Sequence, residues 1–154
     1  MIRQLNSDDS KAIHQLFLEA YNGHWQWSEM EISQSFNKNY YYYWGVYCDQ
    51  QLIGVAQLTL LFNEAELINI AILPTHQQHG LGKQLLQAAL EQLKQQGMTQ
   101  CLLEVREYNQ PAKVLYEKLG FIKIDQRPHY YTDTQEAADI YQWKGNDDDK
   151  NFSH

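Results

Sequence analysis

The chain has 154 residues, enough for one domain with a proper hydrophobic core and too few for two. Its 44% hydrophobic and 20% charged residues are an ordinary globular balance, which argues against disorder over most of its length. Twelve Lys and Arg against 19 Asp and Glu give a net charge of −7, a poor footing for direct contact with nucleic acid or an anionic membrane and one that favours a basic partner.

Residues 1–5 (MIRQL) read as a short opening strand, and 6–21 as a helix led by polar cap candidates, with Ile13, Leu16, Phe17 and Ala20 at helical spacing. A shorter helix is predicted over 27–36, where Ser28 and Glu31 have the spacing of a capping box. Residues 40–62 are rich in aromatic and β-branched types and predict two strands around an Asp-Gln-Gln turn, with 64–74 as a further strand stopped by Pro74. From Leu81 the positions Leu85, Leu86, Ala89, Leu90 and Leu93 predict a helix that Gly97 terminates. Residues 100–107 (QCLLEVRE) are a near-continuous apolar strand of the kind found inside a covered sheet. Asn109 as cap, Pro111 in the first turn and Gly120 at the stop predict a helix over 109–121, and 121–127 and 138–144 are suited to pair as closing strands. The result is a mixed α/β sheet with helices on its faces over 1–145, followed by an acidic tail over 146–154 that is expected to be disordered.

No apolar run is long enough to span a bilayer, and the first residues turn acidic where a signal peptide would become apolar, so the expected compartment is the cytoplasm. Cys48 and Cys101 are far apart and both fall in strand-like runs, which suits buried reduced thiols. His76 and His79 are three apart with no third ligand at a recognisable spacing, so no metal is expected. The aromatic run Tyr40 to Trp44 lacks the basic groove of a single-strand binder and reads as a packed or peptide-lining strand.

The stretch Gln77-Gln78-His79-Gly80-Leu81-Gly82 places two glycines at a helix start, where glycine is otherwise unfavourable. A Walker loop would need glycine at Gln77 and Ser or Thr at Gln84, and a dinucleotide fingerprint would need glycine or alanine at Leu85, so neither applies. What remains is a strand, a turn and a helix whose first amides are unobstructed, with Lys83 beside them: an anion site made of backbone, or simply a tight turn. The spacing Q-x-x-G-x-G, followed by N-x-x-A-x-x-x-Y-x-x-x-G-F at Asn109, Ala112, Tyr116, Gly120 and Phe121, resembles the GNAT family of acetyl-CoA-dependent N-acetyltransferases. The segments WSE at 27–29, EAELINIAILP at 64–74, LEVRE and the pair Tyr130 and Tyr131 are similar to its RimI subgroup, the ribosomal-protein-alanine N-acetyltransferases.

That resemblance implies the GNAT fold, with a splayed strand pair in its central sheet, acetyl-CoA as cosubstrate, and as partner a basic peptide, specifically the N-terminal alanine of small-subunit ribosomal protein eighteen. It assigns the CoA pyrophosphate to Gln77, His79, Gly80, Leu81, Gly82 and Lys83, and the pantetheine arm to Asn69, Ile70, Ala71, Ile72 and Asn109. An N-terminal amine, with a reference pKa of about 7.7–8.0, must lose a proton before it attacks a thioester. Glu104 interrupts an apolar strand, where desolvation favours a general base; a structural glutamate paired with Arg106 or Arg127 fits the same position. The resemblance makes Glu104 the base and Tyr116 the acid that protonates the departing thiolate, although Tyr116 by its spacing alone is also a core aromatic. Trp27, Glu29, Tyr130 and Tyr131 are candidates for an acceptor groove into which Glu64 and Glu66 draw a cation, and each fits a packing or surface role equally. Related folds also acetylate lysines, polyamines and small molecules, and a CoA-binding sensor without turnover is the alternative from another class.

Overall fold

The computed structural model describes residues 1–77 and 79–145. The acidic tail expected over 146–154, and Gln78 of the glycine turn, lie outside the described residues. Strands β1 (Ile2–Gln4), β2 (Tyr41–Cys48), β3 (Gln51–Leu61), β4 (Glu64–Ile72), β5 (Gln100–Arg106), β6 (Ile122–Arg127) and β7 (Ala138–Trp143) form one sheet in the order β1-β2-β3-β4-β5-β7-β6. Helices α1 (Ser10–Ala20), α2 (Glu29–Ser35), α3 (Leu81–Gln95) and α4 (Gln110–Lys118) cover its two faces. Every strand pair is antiparallel except β4 and β5.

Local chemistry sets most of these boundaries. The predicted first helix begins as a single 3-10 turn, Ser7–Asp9, closed by a reciprocal capping box between Asn6 and Asp9, before α1 continues. Ser28 and Glu31 form the capping box expected of α2, at 3.0 and 2.8 Å. Asp49 and Gln50 both adopt positive φ, which gives the tight β2–β3 turn the twist its strands require. The apolar stripe of α3 is buried at all five predicted positions. Cys101 is buried as expected, whereas Cys48 is exposed, because it ends β2 against that turn rather than lying within the sheet.

The feature that makes a site is at the centre of the sheet. β3 and β4 are in register from Leu61↔Glu64 to Leu58↔Leu67, then slip so that Gln57 faces Asn69 and Ile68 is left as a bulge. A bulge bends its strand and increases its twist. β4 and β5 accordingly pair only over Glu64↔Gln100, Ala65↔Cys101 and Glu66↔Leu102, and part beyond them. Among the described residues no helix is long and apolar enough to cross a membrane.

One polar node holds the far side of this opening. Asp139 on β7 is 1% exposed, with Lys113 Nζ of α4 at 2.9 Å, Lys123 Nζ of β6 at 3.3 Å and Gln126 Nε2 donating at 2.7 Å. Burial alone would raise the carboxyl's pKa, but the hydrogen bonds from Lys113, Gln126 and Lys123 outweigh it and hold the group below its ordinary 3.8. Its stabilising effect is therefore present above that value and lost as the pH falls through the depressed one. Asp139→Ala strands the Lys113 ammonium in a largely buried position, and is expected to cost about 3 kcal/mol in a urea unfolding titration.

Candidate active site

The parting of β4 from β5 opens a groove of about 710 Å³ that runs from the start of α3 to Tyr131. Of the residues singled out from sequence, Asn69, Ile70, Ala71, Ile72, Gln77, Gly80, Leu81, Gly82, Lys83, Glu104, Asn109, Tyr116 and Tyr131 all line it. At the α3 end, Gly80 sits at φ 76°, in the left-handed region that side chains avoid, and turns the chain into the helix. The amides of Leu81, Gly82 and Lys83 have no acceptor among the described residues; the first helical bond runs from Gln84 N to Gly80 O. Three N–H groups without an acceptor among the described residues, on the end of a 15-residue helix and with Lys83 adjacent, suit an anion. Gln77 Nε2 donates to Ile72 O at 3.0 Å and ties this turn to the end of β4.

Along the opening, β4 past Glu66 has no strand partner on its β5 side; the side chains of Tyr21 and Gln77 meet Ile70 O and Ile72 O, and a linear chain of amide groups matches an edge of this kind. Asn109 lines the groove while its Oδ1 caps α4 from Ala112 N at 3.3 Å. His79 is placed differently: its side chain borders a second cleft with Met1, Cys48 and His76. Cys101, behind the groove, is fully buried, and that burial pushes its thiol up to about 12, so it is not a thiolate nucleophile.

Of the partners that the sequence offers Glu104, the structure places Arg127 beside its carboxylate. Alternation along β5 turns it to the face opposite Cys101, Leu103 and Val105, where its side chain is 30% exposed and Arg127 Nη1 donates to Oε2 at 3.3 Å. Glu66 stands on the same face, two positions behind in the parallel register, and its pKa is raised by burial and then by the charges of Glu104 and Glu64, with Arg127 opposing. Tyr116 is 7% exposed and lines the groove with no hydrogen bond to its hydroxyl among the described residues. Burial, followed by the neighbouring Tyr21, Cys101 and Tyr131, lifts its phenol far above the ordinary value, so it keeps its proton.

The acceptor end is built less as the sequence suggests. Tyr131 is held over the groove by the Arg106 guanidinium, 4.0 Å from its ring centroid, and Arg106 in turn grips Asp133 with two bonds of 3.0 and 3.2 Å. Tyr130 stacks edge-on against Tyr131, outside the lining. Trp27 packs between Trp25 and Tyr41, and Glu29 is exposed in the first turn of α2; neither lines the groove. Tyr21, which sequence reasoning passed over, does: it follows the last turn of α1 and its hydroxyl donates to Ile70 O at 3.4 Å.

A sheet opened at one parallel pair, with a helix N-terminus at one end of the gap and a carboxylate and a protonated phenol along it, defines an acyltransferase architecture. The model of the acetyltransferase (GNAT) family matches residues 10–121, and the chain belongs to that family. It is 37% identical over 131 residues to the [ribosomal protein bS18]-alanine N-acetyltransferase of Haemophilus influenzae, covering 85% of this chain and 87% of the relative. The crystal structure of the ribosomal-protein-S18-alanine N-acetyltransferase from Escherichia coli superposes with a TM-score of 0.84 at 31% identity, over 94% of this chain and 92% of that one. The PaiA N-acetyltransferase of Thermoplasma acidophilum, solved in complex with coenzyme A, shares the fold at a TM-score of 0.74 and 24% identity, over 94% and 98% of the two chains.

Proposed function

We propose that this chain transfers the acetyl group of acetyl-CoA to the α-amine of the N-terminal alanine of ribosomal protein bS18, in the cytoplasm, through a single catalytic domain spanning 1–145. The observation that carries the reading is the presence in one groove of the free amides of α3, the β4 edge that has no strand partner past Glu66, Glu104 and Tyr116. The free amides and Lys83 suit a pyrophosphate, and residues 69–72 suit a pantetheine arm; bound there, acetyl-CoA supplies an activated thioester carbonyl. Glu104 accepts the ammonium proton, directly or through a water, and Arg127 fixes the orientation of its carboxylate. Tyr116 holds a proton at Oη for the departing sulfur. Tyr131 and Tyr21 wall the acceptor end; Glu64 and Glu66 lie outside the lining but on the Glu104 face of the sheet, where their charge favours the approach of a cationic terminus.

Thiol release from acetyl-CoA is the test, with an alanine-initiated peptide of bS18, the same peptide blocked at its α-amine, and spermine as acceptors. Release with the free-amine peptide alone, with one acetyl group gained at its terminus by mass spectrometry, is the expected result. Activity on spermine alone overturns the acceptor. Silence on all three with acetyl-CoA still bound favours a sensor.

A further inference from the structure

A chain of hydrogen bonds runs beneath the groove from α2 to β4. Ser35 Oγ is 2.5 Å from Ile32 O and 2.9 Å from Tyr43 Oη, Gln57 Nε2 is 2.8 Å from Tyr43 Oη, and Asn69 Nδ2 is 2.8 Å from Gln57 Oε1. Ser35, Tyr43 and Gln57 are 2%, 0% and 0% exposed, so bulk solvent does not reach them and they bond to one another.

Every bond in this chain has only one available direction. A carbonyl oxygen accepts and cannot donate, so the single proton of Ser35 is committed to Ile32. Tyr43 must then donate to Ser35, and its oxygen receives the Gln57 amide. Burial first, against the bonds to Ser35 and Gln57, raises the Tyr43 phenol, so this donor persists at high pH. Gln57 is thereby fixed with its oxygen toward β4, where it takes an N–H from Asn69. At the end of the chain Asn69 Oδ1 has no partner among the described residues, on a half-buried side chain that lines the groove. A helix carbonyl on α2 thus fixes the orientation of the Asn69 amide, with one Nδ2 hydrogen committed to Gln57 and Oδ1 left as its unbonded acceptor.

The face of the sheet on which that oxygen lies indicates what it meets. Asn69 pairs with Gln57 and Glu66 with Thr59, two positions apart on β3, so the bulge at Ile68 keeps Asn69 on the face of Glu66. Glu66 is level with Leu102, which places Glu104 on that face too, opposite Ile68 across the opening. An acceptor oxygen and a carboxylate therefore flank one space. Resting on the acetyltransferase reading above, we propose that Asn69 Oδ1 receives an N–H of the incoming primary amine and turns its lone pair toward the thioester, with Gln57, Tyr43 and Ser35 as positioning residues.

The test is steady-state kinetics on the alanine-initiated peptide, with acetyl-CoA affinity measured by calorimetry. Asn69→Leu is expected to raise the peptide KM about tenfold or more while the acetyl-CoA Kd stays within about twofold, because the pantetheine arm is assigned to the backbone of residues 69–72, which the substitution keeps. Tyr43→Phe keeps the buried ring but frees Gln57 to turn over; it is expected to raise the peptide KM in the same sense and to remove the exchange protection of the Asn69 side-chain amide in 15N spectra. Gln57→Met, of similar volume, repeats this test if Tyr43→Phe does not fold. An unchanged peptide KM in Asn69→Leu, a loss confined to acetyl-CoA binding, or an Asn69 amide indifferent to both relay variants overturns the proposal. A wild-type protein that acetylates no amine overturns the underlying reading instead.

Discussion

Glu104→Gln is expected to lower kcat by about 10²- to 10⁴-fold, the usual contribution of a positioned base, and to leave the acetyl-CoA Kd unaltered. The substitution keeps the shape of the side chain and an oxygen for Arg127, and Arg127 is 57% exposed, so little folding stability is at stake. The ion pair makes a control necessary, since a glutamate retained only to hold Arg127 would give a similar loss when either partner is removed. Arg127→Met separates the two roles: it is expected to retain turnover within about tenfold, because Arg127 orients the carboxylate without receiving the proton. Equal losses in both variants would make Glu104 a structural partner. Rapid-quench single turnovers are the measurement, since they isolate chemistry from product release.

Tyr116→Phe is expected to reduce kcat about 10²-fold with little change in the KM of either substrate. The hydroxyl has no hydrogen bond within the described residues, so its removal leaves the packing against Phe121 and Tyr141 intact. The raised pKa adds a pH signature. A buried phenol lifted above its ordinary 10 remains a donor throughout the range where the α-amine becomes neutral. The wild-type kcat profile should therefore rise as the amine deprotonates and hold its plateau to at least about pH 9.5. A descending limb below that pH, absent from Tyr116→Phe, would mean that the phenol titrates normally.

Much of this molecule was legible residue by residue. The period of Leu85, Leu86, Ala89, Leu90 and Leu93 placed α3, the Ser28 and Glu31 pair placed the start of α2, and Gly97 and Gly120 adopt the positive φ that their helix ends require. The glycine turn and the Asn109-to-Phe121 spacing located the groove. Features set by long-range pairing were not legible. Nothing local in 121–144 says that β7 inserts between β5 and β6, and the bulge at Ile68 is a registration event between two strands that each look regular alone. The choice between the two environments open to Glu104 was not legible for the same reason: its strand neighbours Leu103 and Val105 point to the opposite face and say nothing about what its carboxylate meets. Tyr21 went unnoticed because it follows the helical stripe that ends at Ala20, and only the approach of Ile70 brings it to the groove.

The row formed by Glu64, Glu66 and Glu104 on one face of β4 and β5 also affects how a turnover ends. Among the described residues Arg127 is the cation that offsets these charges, so an ammonium entering beside them gains Coulombic attraction. Acetylation converts that ammonium into a neutral amide, and the attraction that brought the terminus in is extinguished by the reaction itself. On the proposed reading, the charge beside the groove favours a substrate and not its product, so product escape is expected to be hastened and finished termini to compete weakly for the next turnover.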